Sequence, residues 1–300
     1  MIIGVILFYV LFHFHIIIQN FDVYGIYEFP QVIDPNLKVE EVADRLEMPT
    51  SIAFLESSDL LVLEKNGTVL RIINKTILDD PVLHVSVASG FYQGLLGIAV
   101  MNQTNSKNDI NVFLYYTEVQ SNKQKDNTET ITNETFPIGN RVYKYELVNN
   151  KLINPIMLLD LPAKPGPEDN GGFITIGPDN HPYIIIGEIA SSSRENALET
   201  LAQNYENSSI VDGRSGILRI TLDGNPVLDE KGHGLLGDTF PLNLYYAYGI
   251  HNGFGMDFDP ITGNLWDTET GHIINDEINI VKLGFNSGYG IMQGQRALFR

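Results

Sequence analysis

The sequence contains no cysteine, one tryptophan, and only 19 lysines and arginines against 37 aspartates and glutamates. Without cysteine no disulfide can form. That fits an exported protein that dispenses with cross-links as well as one kept in a reducing compartment, so cysteine leaves location open. The scarcity of positive charge excludes more. At a net charge of −18 and a pI near 4.6, the chain lacks the clustered lysine and arginine needed to track phosphates, which excludes nucleic acid as a partner. Surplus carboxylates mostly face water, but they also suit oxygen-seeking Ca²⁺.

Charge of either sign is missing from residues 2–18 (IIGVILFYVLFHFHIII), and the first charged side chain is Asp22. The run approaches the ~18 residues of a spanning helix and exceeds the ~7–15 of a usual signal core, yet lacks a basic start and a small-residue cleavage site. Residues 1–21 are therefore expected to be a signal peptide or membrane anchor, placing the protein outside the cell or on its surface. His13 and His15 read as passengers within that segment. Five Asn-x-Ser/Thr sequons, at Asn66, Asn74, Asn102, Asn133 and Asn207, lean the same way with small weight.

What the chain has in quantity is repetition. One phrase, a short apolar run, a turn and a second apolar run ending on glutamate, occurs over Ser51–Glu64, Gly94–Glu118, Gly171–Glu188 and Gly253–Glu269. Alternating residues such as Ile184 and Ile186, with the turns at Pro178-Asp179-Asn180 and Asp259-Pro260-Ile261-Thr262-Gly263, predict β-hairpins. Repeats at intervals of tens of residues predict units that bury their faces against their neighbours, as in a propeller. A 300-residue all-β propeller counts as one domain. The expected organisation is leader, linker over 22–36 and propeller over 37–300, with Lys38–Asp44 opening the first blade. Two polar excursions, Gln120–Asn140 and Ala190–Asp212, interrupt the repeats, and Arg141–Leu147 and Gly216–Thr221 read as outer strands.

Equivalent strand ends of a propeller converge on one mouth, so Glu64, Glu118, Glu188 and Glu269 are expected at a common rim. Each can satisfy backbone donors in a following loop; together they could hold a cation or a polyol.

These phrases resemble the glucose/sorbosone dehydrogenase family, soluble quinoprotein sugar dehydrogenases with six blades that bind pyrroloquinoline quinone and calcium. The resemblance covers about residues 38–300. It rests on Gly94–Ala99 (GLLGIA), Asn170-Gly171-Gly172 with Gly177-Pro178-Asp179, Gly216–Ile220 (GILRI), Tyr248–Asn252 (YGIHN), and Leu265–Glu269 (LWDTE) leading into Gly271 and Asp276–Asn279 (DEIN). It implies oxidation of an aldose at C1, with a histidine base and calcium polarising the quinone. The chain departs from the family's pattern at the key spot and beside it. Asp169 stands where the family has its histidine, and an ordinary aspartate, at ~3.9 against ~6.5, is the weaker proton acceptor unless burial raises it. His251 stands where the family has a quinone-contacting arginine, beside a matching Asn252, and cannot replace a bidentate permanent charge.

By the same resemblance, the carbonyls of Gly271 and His272 would hold the cofactor's calcium, Glu277 would serve a second calcium near Tyr289, and Gln93 would lie near the sugar. About four blades are present where the family has six, which reads as a C-terminally truncated product. The expected function is a quinoprotein sugar dehydrogenase-like oxidation, impaired to the extent that Asp169 and the missing blades matter. The alternatives are a non-catalytic propeller binding a glycan or protein at the mouth, and a lactone-hydrolysing calcium propeller, which would need a ring of side-chain ligands around one ion.

Overall fold

The computed structural model describes residues 32–102, 110–119, 137–164, 168–189, 201–204, 212–271, 275–293 and 296–297. The expected leader with His13 and His15, the candidate ligand His272, and much of both polar excursions lie outside the described residues. Among the described residues no helix is long and apolar enough to cross a membrane. Residues 1–44 and 45–300 form separate units. In the first, residues 38–44, expected to open a blade, carry no strand.

In the second unit the four repeated phrases are four antiparallel hairpins, each the start of a sheet. The first sheet comprises β1 (Pro49–Glu56), β2 (Asp59–Glu64), β3 (Thr68–Ile73) and β4 (Thr76–Ile77), with β5 (Leu83–His84) paired to β3. The second is β6 (Leu95–Asn102), β7 (Ile110–Val119), β8 (Pro137–Val148) and β9 (Lys151–Leu161). The third is β10 (Ile174–Ile176), β11 (Pro182–Ile186), β12 (Gly216–Arg219) and β13 (Tyr245–Tyr248). The fourth is β14 (Gly253–Phe258), β15 (Leu265–Glu269) and β16 (Glu277–Val281), followed by a short pair, β17 (Met292–Gln293) and β18 (Arg296–Ala297). Strand order follows chain order, and the first strands β1, β6, β10 and β14 neighbour one another in turn. These sheets are four blades of a β-propeller.

Side-chain alternation explains how the blades stack. On β7, Val112 and Leu114 face the first blade, in a core with Leu61, Leu63 and Val69, while Phe113 and Tyr115 face the third, against Ile174, Ile184 and Ile186. On β11, Tyr183 and Ile185 turn the opposite way and pack with Met256, Leu265 and Val281 of the fourth blade. The second strands of the first three blades are thus buried on both faces. Each such side chain contributes about 1.5–3 kcal/mol by leaving water. Strand β15 alternates instead: Leu265, Asp267 and Glu269 are buried and Trp266 and Thr268 exposed. Phe254, Trp266, Ile278 and Ile280 on the fourth blade, and Ile52 and Phe54 on the first, are likewise exposed.

The inner strands approach too closely for side chains. A Cβ on Gly97 would stand 1.9 Å from the Gly172 carbonyl oxygen, and Gly172 itself has φ +108. Replacing Gly97 by alanine should cost about 1–3 kcal/mol through overpacking against backbone and lower the melting temperature by several degrees. Gly90→Ala, whose Cβ would meet nothing within 4 Å, should leave it unchanged. Equal effects at both positions would contradict this packing.

Candidate functional site

The site begins with the loop after Glu168, which leads into β10. Asp169, Gly171 and Gly172 all adopt positive φ (61, 63 and 108), a region that aspartate tolerates and glycine favours. Blade two holds the loop from one side: Tyr115 Oη donates to the Asn170 carbonyl at 3.0 Å, and Asn140 Nδ2 donates to Asn170 Oδ1 at 3.1 Å. Blade four holds it from the other, through Gly171 N–H to Asn252 Oδ1 at 2.9 Å. Gly187 permits the approach of the neighbouring strand end, since a Cβ there would lie 2.1 Å from the Asp169 carbonyl oxygen.

That strand end carries Glu188, whose N–H donates to the His251 carbonyl at 2.9 Å. Ile189 follows with φ 54, an outlier for a β-branched residue, and is fully buried. Arg214, 1% exposed, braces the turn: its Nε donates to Asp212 at 2.7 Å and its Nη1 to the Glu188 carbonyl at 3.1 Å.

His251 lies at the centre. Its Nδ1 is 2.8 Å from the Thr270 carbonyl, and its backbone N–H donates to Glu269 Oε1. Its Nε2 lies 3.5 Å from Asp169 Oδ2 and 3.4 Å from Glu188 Oε1, ion-pair approaches rather than tight hydrogen bonds. Tyr289 tilts over the ring at 4.9 Å between centroids and donates its hydroxyl to Glu188 Oε2. Burial alone would lower the His251 pKa, but the Glu188 carboxyl, the Asp169 charge and the Thr270 carbonyl outweigh it and raise it to about 9. Burial pushes Asp169 up to about 6, against the pull of the His251 charge.

Beside this cluster a cleft of about 290 Å³ runs between Lys65, Tyr92, Phe173, Asn252 and Phe254. A separate cavity of about 10 Å³, room for one water or ion, is lined by His251, Glu269, Gly271 and Glu277 together with Tyr289. Glu277 lies opposite Glu269 in the β15–β16 register. Burial raises Glu269 to about 7 and Asp267 to about 6. At Asp267 the side chain and backbone of Asn279 pull the other way, against burial.

The structure therefore joins Asp169, His251 and Asn252, and places Gly271 and Glu277 at a cavity that His251 also lines. Gln93 is buried, with its amide donated to the Lys164 carbonyl at 2.7 Å, rather than shown at this cluster. The expected ring of four glutamates is only half realised. Glu188 and Glu269 meet at His251, whereas Glu64 accepts the Glu47 N–H at 2.7 Å and Glu118 binds Arg141 and Tyr143 at 2.7 and 2.8 Å. Local donors satisfy these two before they can reach a shared site. Sequence reasoning missed Arg214, Thr270 and Asp267; a lone arginine just before the GILR strand was the available signal for the first.

The raised groups fix the sign of a pH effect. The folded chain holds protons on Asp169, Asp267 and Glu269 above the ordinary carboxyl range, and on His251 above ~6.5. More protons are bound folded than unfolded between about pH 4 and 9, so stability from these groups falls as pH rises across that window. Melting temperatures in chelator should decline from pH 5 to pH 8.5, and Asp267→Asn should flatten the decline. A melting temperature that rises over this range would contradict the burial of these groups.

The sequence profile of the Glucose / Sorbosone dehydrogenase family matches residues 46–297. An uncharacterized protein of Synechocystis sp. is 28% identical over 276 residues, 88% of this chain and 62% of that protein. Quinoprotein glucose dehydrogenase B of Acinetobacter calcoaceticus is 26% identical over 284 residues, 90% of this chain and 55% of that protein. The chain thus spans between half and two thirds of the curated relatives it matches. Among solved structures, the PQQ-bound aldose sugar dehydrogenase of Streptomyces coelicolor superposes with a TM-score of 0.61 at 26% identity, covering 86% of this chain and 66% of that one. The fold is also that of the soluble aldose sugar dehydrogenase of Escherichia coli, with a TM-score of 0.65 at 20% identity, covering 85% and 66%. The chain belongs to the glucose/sorbosone dehydrogenase family.

Proposed function

We propose that this protein oxidises an aldose at C1 as a quinoprotein, with pyrroloquinoline quinone and calcium at the propeller mouth. The observation that carries this reading is the meeting of Asp169, His251 and Asn252, the positions where the family resemblance puts base and quinone contacts, next to an aromatic cleft that Asn252 also lines. The cleft fits a flat anion: Tyr92, Phe173 and Phe254 offer ring faces and edges, Lys65 an ammonium and Asn252 an amide. The small cavity fits calcium, since the Gly271 backbone and the Glu269 and Glu277 carboxyls supply oxygen donors around a space for one ion.

Bound quinone would accept the hydride from the sugar's C1, and calcium would stabilise the negative charge on its oxygen. Asp169 takes the proton of the C1 hydroxyl. Burial brings its pKa to about 6, close to the value of the imidazole it stands in for, which removes the weakness expected of an aspartate. His251, raised to about 9, supplies positive charge where an arginine would otherwise stand. It donates singly rather than as a fork, so it orients an anion less firmly. Glu188 and the Thr270 carbonyl fix the ring between them. The apolar run at 2–18 and the exposed sequon residues Asn66 and Asn74 support export or surface anchoring.

A non-catalytic sugar-binding role is favoured by one observation, the half-exposed Tyr92 and Phe254 rings meeting edge to face at 6.4 Å. Such rings can stack on a sugar without any cofactor. Incubation with quinone and Ca²⁺ followed by gel filtration should leave quinone with the protein, and aldoses should then reduce an added dye. Asp169→Asn should keep the quinone and lose about 100-fold or more in turnover. Retention without reduction in the parent protein would favour the binding role; loss of both would overturn the dehydrogenase reading.

A further inference from the structure

Apart from the cavity at Gly271 and Glu277, the mouth contains a second constellation, in which the His251 Nε2 faces two carboxyls. We infer that Asp169, Glu188 and His251 form a binding site for a first-row divalent transition ion, with Zn²⁺ the best-suited. One ligand atom from each lies within 4.8 Å of the other two. The His251 Nε2 distances of 3.5 Å to Asp169 Oδ2 and 3.4 Å to Glu188 Oε1 match the ~3.4 Å edge of a tetrahedron with ~2.1 Å metal–ligand bonds. Calcium could span similar distances with longer bonds, so spacing alone does not select the ion. The imidazole does, because Ca²⁺ takes oxygen ligands while mixed nitrogen and carboxylate sets suit zinc and its first-row neighbours.

The surroundings of each ligand point the same way. The Thr270 carbonyl faces Nδ1, which keeps its proton, and so turns Nε2 toward the two carboxyls; the ion displaces the Nε2 proton to solvent when it binds. Tyr289 occupies Glu188 Oε2, leaving Oε1 to face the histidine. Arg214 holds the Glu188 carbonyl, and the Ile189 N–H holds that of Asp169 at 3.2 Å. Ile189, a β-branched residue with positive φ, is the kind of local strain that persists where a site requires it. Three protein ligands leave a fourth position for water or a sugar hydroxyl.

Binding of the ion does not depend on the quinone. One consequence does rest on the proposed oxidation: the ion occupies the Asp169 oxygen that would accept the sugar's proton, so Zn²⁺ switches that reaction off.

The test is a Co²⁺ titration of the metal-free full chain, followed by visible d–d absorption. The bands should saturate at one ion per chain, bleach on adding one equivalent of Zn²⁺, and survive excess Ca²⁺. His251→Gln and Glu188→Gln should each weaken Co²⁺ binding at least about tenfold, with melting curves of the metal-free variants confirming that they fold. Should either fail to fold, Asp169→Asn, at a side chain 14% exposed, provides the same test. No bands, bands unchanged in His251→Gln, or displacement by Ca²⁺ would overturn the site. Co²⁺ binding by a chain that retains no quinone would leave this inference standing and remove the sugar-dehydrogenase reading; quinone retention without Co²⁺ binding would do the reverse.

Discussion

A buried imidazole surrounded by acids organises this molecule's mouth. Carboxyl groups removed from water either take up protons or require positive charge nearby. The His251 ring supplies that charge to Asp169 and Glu188, while its own backbone N–H supplies a donor to Glu269. Five stretches of chain, around residues 169, 188, 251, 270 and 289, must reach it together. No single blade could assemble that cluster; it exists because the ends of successive sheets converge.

Convergence in turn depends on the absence of side chains at a few places. Gly97 lets the second and third blades touch backbone to backbone, and Gly187 lets the Glu188 strand end close over Asp169. The clamp on Asn170 from Tyr115 and Asn140, with Asn252 on Gly171, then transmits the blade spacing to the Asp169 side chain. Fold and site are thus linked by distances that neither can relax alone. The same geometry leaves an aromatic cleft at Asn252 and an ion-sized cavity at His251.

Most of the fold was legible in the sequence because propeller strands write their environment into their composition. The runs LLVL, VFLYY and YIII belong to strands buried on both faces, and all four predicted hairpins form. Asp169, His251 and Asn252 were legible through the motifs around them. What the sequence could not convey is which partner a side chain chooses. Glu64 and Glu118 occupy the same repeat position as Glu188 and Glu269, yet a backbone N–H from Glu47 and the guanidinium of Arg141 claim them first. Residues 38–44, expected to open a blade, carry no strand; of the seven only Val39 and Val42 are strand formers. The raised pKa values of Asp169 and His251 were equally hidden, since the first follows from burial and the second from the Glu188 and Asp169 carboxyls around the ring.

The imidazole's charge is the most exposed part of this account, and it can be read directly. A nitrogen-detected NMR titration in chelator, with the His251 signal assigned by its loss in His251→Gln, should show a midpoint near 9. Glu188→Gln should move that midpoint down toward the ordinary histidine value of ~6.5. A midpoint at or below ~6.5 in the parent chain would show an uncharged ring and contradict the arrangement of acids around it.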